Sequence, residues 1–249
     1  MIELLGIGVP NEVGGWLLHR VSARWERGQL IAVVSALPAE RLALVDTVAG
    51  VRVPEEGRAW LGGVPLSRET MAQIQARAAD VDLHLELVDR RSVLWNTLAG
   101  QRPGLRTLAG LVRFPQPRER ESALRALSSV GLAAIAHEPA ARLDREERAC
   151  LAMARALRRR PPHLVIREID VVLGIPDAER LLTVARAVVR ADGITAVVSV
   201  GSLSLARRFA DRVVVIADGL LVLDTPPNTF TEDQIAWRLR PEMRPATVR

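Results

Sequence analysis

The stretch from Arg27 to Pro38, RGQLIAVVSALP, is the part of the sequence that says most about the fold. Its apolar run Leu30 to Val34 is short and continuous, follows a glycine and precedes a proline, which is typical of a buried strand. Similar runs recur at residues 164–166, 196–200, 213–217 and 220–223. Stretches with helical apolar spacing occur at residues 121–130, 146–159 and 177–189. This mixture of buried strands and helices indicates an α/β fold.

Two further features describe how the chain is organised. The pair Asp218-Gly219 lies between two apolar runs and predicts a β-hairpin. A stretch rich in proline and arginine, from Gln101 to Arg120, interrupts the alternation and precedes a mainly helical block that reaches about Arg160. We interpret residues 101–160 as a helical subdomain inserted in a single domain that spans residues 1–249.

Composition excludes several function classes. The 249 residues are 49% hydrophobic and 25% charged, enough for a sizeable core. No stretch has the pattern of a secretory signal or a membrane span, so we expect a cytoplasmic chain. The single cysteine, Cys150, excludes an internal disulfide and is interpreted as a core residue. The four histidines lack the spacing of a metal site, so no metal site is predicted.

All 34 basic residues are arginines, since the sequence contains no lysine. A net charge of +5 spread along the chain predicts only a general attraction to anionic surfaces. The five tryptophans show no common spacing, which argues against a nucleic-acid surface. Neither Ser199 nor Ser202 has a histidine nearby in sequence, so the chain shows no nucleophile and base pattern.

Several motifs in order along the chain carry a family resemblance. Residues 27–32, RGQLIA, are followed by Gly50, by 56–58, EGR, and by Gly62-Gly63. Further on come 92–100, SVLWNTLAG; 151–157, LAMARAL; 192–195, DGIT; 205–212, LARRFADR; and 218–227, DGLLVLDTPP. From residue 15 to about residue 228, the order resembles the nucleotide-binding subunits of ATP-binding-cassette (ABC) transporters, close to the phosphonate importers. The resemblance implies a P-loop NTPase-like cassette with an antiparallel β subdomain and a helical subdomain.

The resemblance also places the ATP phosphate loop. Such a loop cradles phosphates with glycine N–H groups, a lysine and a magnesium-binding hydroxyl. Aligned without gaps from Arg27, it falls on residues 35–43, SALPAERLA. The degenerate equivalents are Ser35, Pro38, Glu40, Arg41 and Leu42. No glycine remains, Pro38 lacks an N–H, and Leu42 has no oxygen for Mg²⁺.

Two charged residues replace the loop's chemistry. Glu40 adds a carboxylate that repels a phosphate charge by about 3 kcal/mol, taking about 5 Å and an effective dielectric of about 20. Arg41 stands at the lysine position, and no other alignment restores a lysine because the chain has none. Arg41 is interpreted as a solvated or salt-bridged arginine, with Glu40 as one partner, in preference to a phosphate ligand.

The remaining motifs depart from the family in the same direction. The family's magnesium carboxylate falls on Glu168 and its catalytic glutamate on Ile169, while Glu168 and Asp170 are interpreted as strand-end carboxylates. An isoleucine cannot activate water. The glutamine of the family's Q-loop falls on Leu83, beside His84. The family signature "LSGGQ" falls on residues 143–147, LDREE. The D-loop aspartate falls on Ile175, and the switch histidine falls on Gly201.

These observations predict a catalytically degenerate ABC ATP-binding-subunit homologue that supports or regulates the transport of a phosphonate-like solute. No catalytic residue is assigned; ATP and Mg²⁺ enter only as ligands that the family implies. The expected partners are another cassette subunit or a transporter's membrane subunits, at the inner face of the cell membrane, with no nucleic acid. Two alternatives stay open: a weak, atypical ATPase that uses Arg41 and Glu168, and an arginine-rich nucleic-acid-binding module.

Overall fold

A computed structural model describes residues 1–84, 86–99 and 116–239, without the side chains of residues 236–238. The chain divides into two compact units: unit 1 is Met1–Ala78 with Pro162–Arg249, and unit 2 is Ala79–Pro161. Residues 101–115 of the expected helical insertion lie outside the described residues. That the whole chain is a single cassette domain stays a prediction.

The strands of the described residues are, in chain order, β1 (Ile2–Pro10), β2 (Trp16–Trp25), β3 (Leu30–Ser35), β4 (Glu56–Leu61), β5 (Val64–Pro65), β6 (Ala79–Val81), β7 (His163–Ile166), β8 (Thr195–Val200), β9 (Arg212–Ala217) and β10 (Leu220–Thr225). The α-helices are α1 (Pro38–Val48), α2 (Met71–Arg77), α3 (Val93–Ala99), α4 (Pro117–Ser129), α5 (Arg145–Leu157), α6 (Ile169–Leu173), α7 (Ile175–Asp192), α8 (Leu203–Phe209) and α9 (Glu232–Leu239). The strands and helices predicted from apolar patterns are all confirmed.

The larger sheet of unit 1 has the strand order β10-β9-β3-β8-β7. Strand β3 pairs in parallel with β8 and β9, and β7 pairs in parallel with β8. Every residue of β3 and β8 is buried, because a central parallel strand is covered on both faces. Strand β10 adds an antiparallel edge through the hairpin at Asp218-Gly219, where both residues have positive φ, 55° and 73°. Two positive φ values are the signature of a type I′ turn, so the predicted hairpin is confirmed.

A second sheet of unit 1 has the order β2-β1-β4-β5 and is antiparallel throughout. It confirms the antiparallel β subdomain that the family resemblance implies. Its core includes Trp25, which is fully buried and whose ring Nε1–H donates to the Asp224 carboxylate at 3.2 Å. Buried indole N–H groups need such an acceptor, so Asp224 fixes the position of the ring.

Unit 2 is mainly helical. Helix α5 buries Cys150, as predicted, and burial together with the carboxylates of Glu146 and Asp144 raises the pKa of this thiol to about 12. A thiol that stays protonated is a poor nucleophile. In the part of the chain that the structure describes, no helix is long and apolar enough to cross a membrane.

The first residue of β7, His163, is a buried histidine with an incomplete set of partners. Only 2% of it is exposed; Nε2 lies 3.1 Å from the Val48 carbonyl oxygen, and Nδ1 has no partner among the described residues. Burial lowers the pKa of His163 from 6.5 to about 4. The ring is therefore neutral in the folded protein at physiological pH.

We expect the free energy of unfolding to fall as the pH is lowered from 6.5 to 4. In this window the unfolded chain binds a proton at His163 that the folded chain does not, and the full pKa difference corresponds to about 3 kcal/mol. Denaturant titrations at pH 7, 5.5 and 4 on the wild type and on His163→Gln measure how much of the pH dependence of the free energy of unfolding comes from His163. Stability curves that run parallel for the two proteins contradict the assignment.

Candidate functional site

The candidate site lies in unit 1, where neighbouring parallel strands end. Strands β3, β8 and β7 are adjacent and run in the same direction, so their carboxyl ends share one edge of the sheet. The segments that follow are Ala36-Leu37 after β3, Gly201-Ser202 after β8 and Arg167-Glu168 after β7. This is the edge at which open α/β sheets bind their ligands.

An ion pair between Arg41 and Glu168 occupies the centre of this edge. Arg41 Nε donates to Glu168 Oε1 at 2.6 Å and Nη2 donates to Oε2 at 2.7 Å, while Nη1 donates to the Ser35 carbonyl oxygen at 2.9 Å. The Arg41 side chain is 5% exposed and that of Glu168 is 17% exposed. The two parallel N–H···O bonds are the strongest geometry available to an arginine and a carboxylate.

Ser199, on the buried strand β8, is a second hydrogen-bond partner of Glu168. Its hydroxyl accepts from the Glu168 N–H at 2.7 Å and donates to Glu168 Oε1 at 3.2 Å. Glu168 itself has φ of 48° and ψ of 42°, a left-handed conformation that costs a side-chain-bearing residue about 1–2 kcal/mol. The contacts with Arg41 and Ser199 hold the residue in this strained conformation.

Glu40 does not pair with Arg41, which corrects one part of the sequence interpretation. Its carboxylate accepts from the Ser35 hydroxyl and, at 2.8 Å, from the Gly219 N–H of the β9–β10 turn. Glu40 and Arg41 are consecutive residues of helix α1, so their side chains point in different directions and cannot face each other. Arg41 is salt-bridged, as expected, but its partner is Glu168.

The other phosphate-loop equivalents lie at the start of α1. Pro38 is at the first helical position and is exposed, and Leu42 is half-buried. Residues 36–39, all of which the structure describes, have negative φ throughout. The segment enters the helix directly through Leu37, in an extended conformation, and makes no turn with left-handed residues.

Asp170 lies at the same edge of the sheet as the ion pair and contacts the segment that follows β8. Its carboxylate accepts from the Gly201 N–H at 3.0 Å and from the Ser202 N–H at 2.9 Å. The residue between the two carboxylates, Ile169, is fully buried in the core. Within the described ranges, no group of three or more histidine, cysteine or acidic side chains is arranged to hold a metal ion.

Sequence reasoning missed the part that Ser199 and Gly219 play in this cluster. A signal for Ser199 was present, because a hydroxyl in the middle of a fully buried apolar strand needs a hydrogen-bond partner. Gly219 gave no such signal, because it acts through its backbone N–H. Its value as a turn residue was the only property visible in the sequence.

The LDREE stretch, residues 143–147, lies in unit 2 at the start of helix α5. Asp144 is the N-cap: its side chain accepts from the Glu147 N–H at 2.8 Å, and the Glu147 side chain accepts from the Asp144 N–H at 3.0 Å. This reciprocal capping box uses both carboxylates within the chain. Of the other motif positions, Ile175 is 47% exposed, and the His84 N–H donates to the Asp82 side chain at 3.1 Å.

Comparison with known proteins identifies close relatives. No family model matches the chain. The phosphite import ATP-binding protein PxtA of Stutzerimonas stutzeri is 33% identical over 237 residues, which cover 94% of this chain and 84% of the relative. The phosphonates import ATP-binding protein PhnC 2 of Trichodesmium erythraeum is 28% identical, over 89% of this chain and 85% of its own length.

Solved structures with the same fold are cassettes as well. The chain matches the ATP-binding cassette MJ1267 in its ADP conformation with a TM-score of 0.78, covering 98% of this chain and 96% of that one. It matches cbiO1 of Clostridium perfringens, part of the transporter complex cbiONQ, with a TM-score of 0.77, covering 94% and 90%. Both are 18% identical, so this likeness concerns the fold alone.

Proposed function

The chain belongs to the ATP-binding subunits of ABC transporters, in the group of phosphite and phosphonate importers, and from this premise we propose that it is a non-catalytic member. In this proposal it supports or regulates uptake of a phosphonate-like oxyanion as a structural partner. The observation that carries the proposal is the buried Arg41–Glu168 ion pair. These two residues stand at nucleotide-binding positions of the family, and here their charged groups bind each other.

The residues present do not fit the phosphates of ATP with magnesium. The Arg41 guanidinium already donates to Glu168 and to the Ser35 carbonyl, so its N–H groups are directed inside the protein. The Glu40 carboxylate, 2% exposed, accepts from the Ser35 hydroxyl and so adds negative charge to the segment that would have to hold an anion. Residues 36–39 have no left-handed positions to turn their N–H groups inward. Each of these features opposes phosphate binding on its own.

The acidic start of helix α5 supports the same proposal. In a working cassette the signature segment offers backbone N–H groups and a serine to a phosphate, whereas here Asp144 and Glu147 use their carboxylates to cap the helix. Three carboxylates between residues 144 and 147 repel a phosphate group. We therefore propose that neither the phosphate loop nor the signature of this chain serves an ATP site.

The partners follow from the family. We propose that the two units form one cassette that associates with an intact cassette subunit or with the membrane subunits of an importer, at the cytoplasmic face of the membrane. The relatives are import ATP-binding proteins for phosphite and phosphonates, and this chain is proposed to serve a related anionic solute.

We expect Mg-ATP, raised to millimolar concentration, to leave the Tm of the purified chain unchanged. A ligand at 100 times its Kd stabilises a folded protein by about 2.7 kcal/mol, which for a chain of this size raises Tm by about 5 °C or more. An intact importer cassette, measured alongside, provides the positive control. A saturable shift contradicts the proposal that the phosphate loop serves no ATP site, and its loss in Arg41→Met places the nucleotide at that loop.

Two other outcomes identify the alternatives. Mg²⁺-dependent ATP turnover that is lost in Glu168→Gln indicates an atypical ATPase. Binding of DNA or RNA that falls steeply with salt concentration indicates a nucleic-acid-binding module. Among the described residues, the contacts at the sheet edge favour neither, because both Arg41 and Glu168 are engaged with each other.

A further inference from the structure

The surroundings of Arg41 are those of an oxyanion-binding site. The guanidinium is 5% exposed, its position is fixed by the bond from Nη1 to the Ser35 carbonyl, and its Nε and Nη2 form a fork that fits two oxygens of one anion. A hydroxyl, that of Ser199, donates to one of the same two oxygens. Two guanidinium donors and one hydroxyl donor thus converge on one carboxylate, that of Glu168.

We propose that this is a binding site for a small oxyanion, and that its resident ligand is the chain's own Glu168 carboxylate. This inference rests on the proposed function and deepens it, because it names the group that Arg41 binds in place of a nucleotide phosphate. Glu168 follows strand β7 directly, and its left-handed backbone, with φ of 48°, places its side chain against Arg41. A covalently attached ligand has a high effective concentration, so it outcompetes free anions in the cell.

The proposal limits the class of external ligand that the site accepts. Once the Glu168 carboxylate is removed, the space left is that of a small carboxylate, within reach of the Arg41 and Ser199 donors. A nucleotide does not fit this description, because the loop at residues 36–39 offers no phosphate cradle and Glu40 keeps its negative charge nearby. Acetate contains the same heavy atoms as the group deleted by Glu168→Ala, which makes it the best probe.

The test compares the response of three proteins to acetate. We expect sodium acetate at tens of millimolar, against sodium chloride at equal ionic strength, to raise the Tm of Glu168→Ala saturably by about 3–5 °C more than that of the wild type. Asp46→Ala is the matched control. It removes the carboxylate from another arginine ion pair of unit 1, Asp46–Arg167, with N···O of 2.9 Å and side chains about a quarter exposed.

Acetate responses that are equal in all three proteins overturn the proposal, because they reflect a general salt effect. If Glu168→Ala folds poorly, refolding yield replaces Tm: recovery that depends on acetate supports the site, and equal recovery in chloride and acetate refutes it. The two proposals fail separately. A wild-type response to Mg-ATP contradicts the proposal that the phosphate loop serves no ATP site, whereas an acetate response no larger in Glu168→Ala than in Asp46→Ala contradicts only the oxyanion site.

Discussion

Arg41→Met is expected to lower the free energy of unfolding by about 3 kcal/mol, the lower end of the range for breaking a buried ion pair. Methionine keeps much of the side-chain volume but removes all three donors, so the Glu168 carboxylate and the Ser35 carbonyl lose their partner. Glu168 is 17% exposed, and water reduces the loss relative to a fully buried charge. Denaturant unfolding at pH 7 measures the effect.

Two controls separate this effect from the loss of any arginine. Arg125→Met breaks an exposed pair with Glu121, with side chains 47% and 68% exposed, and should cost under about 0.5 kcal/mol. The double variant Arg41→Met, Glu168→Gln should be more stable than Arg41→Met alone, because it removes the unpaired charge. An Arg41→Met variant as stable as Arg125→Met shows that the pair does not hold the site together.

Gly57→Ala is expected to lower the free energy of unfolding by about 3 kcal/mol or more, because of the backbone conformation and the close neighbours of this residue. Gly57 has φ of 76°, and a Cβ there would lie 2.4 Å from the carbonyl oxygens of Leu5 and Gly6. Left-handed backbone costs an alanine about 1–2 kcal/mol. The overlap adds to this, because backbone oxygens at the irregular β1–β4 pairing between Leu5 and Gly8 cannot rotate away.

Gly63→Ala is the matched control for the backbone conformation. Gly63 has φ of 83° in the turn between β4 and β5, but a Cβ there meets nothing within 4 Å, so Gly63→Ala should lower the free energy of unfolding by only about 1–2 kcal/mol. Thermal and denaturant unfolding of the two variants therefore separate the φ effect from the steric effect. Equal destabilisation of both variants contradicts the steric argument.

Local patterns predicted those parts of the fold whose cause is local. Continuous apolar runs identified β3 and β8 because both strands are buried on both faces. Asp218-Gly219 identified its hairpin because only a few residue types accept two positive φ values. The antiparallel sheet of the first third came from family resemblance, since β1 and β2 carry register shifts that blur the alternation of exposed and buried residues.

The sequence singled out four residues of the cluster at the sheet edge, but it did not predict how they pair. Ser35, Glu40, Arg41 and Glu168 were all singled out, and the structure brings these four together at one edge of the sheet. The partner of Arg41 lies 127 residues away in sequence, which no local pattern can reveal. The hydrogen-bond donor to Glu40 is a backbone N–H 179 residues away in sequence. Every residue except proline has a backbone N–H, so the residue type does not reveal this contact.

These separations have a consequence for the order in which the protein folds. Glu40 and Arg41 are made early, whereas Glu168 and Gly219 follow only after the whole of unit 2 has been synthesised. Contacts this distant in sequence form late, because a long loop must close before they stabilise anything. In a growing chain, Arg41 and Glu40 therefore lack the partners that they have in the folded protein until Glu168 and Gly219 have been made. Unit 1 therefore cannot complete this edge of its sheet before unit 2 has been synthesised.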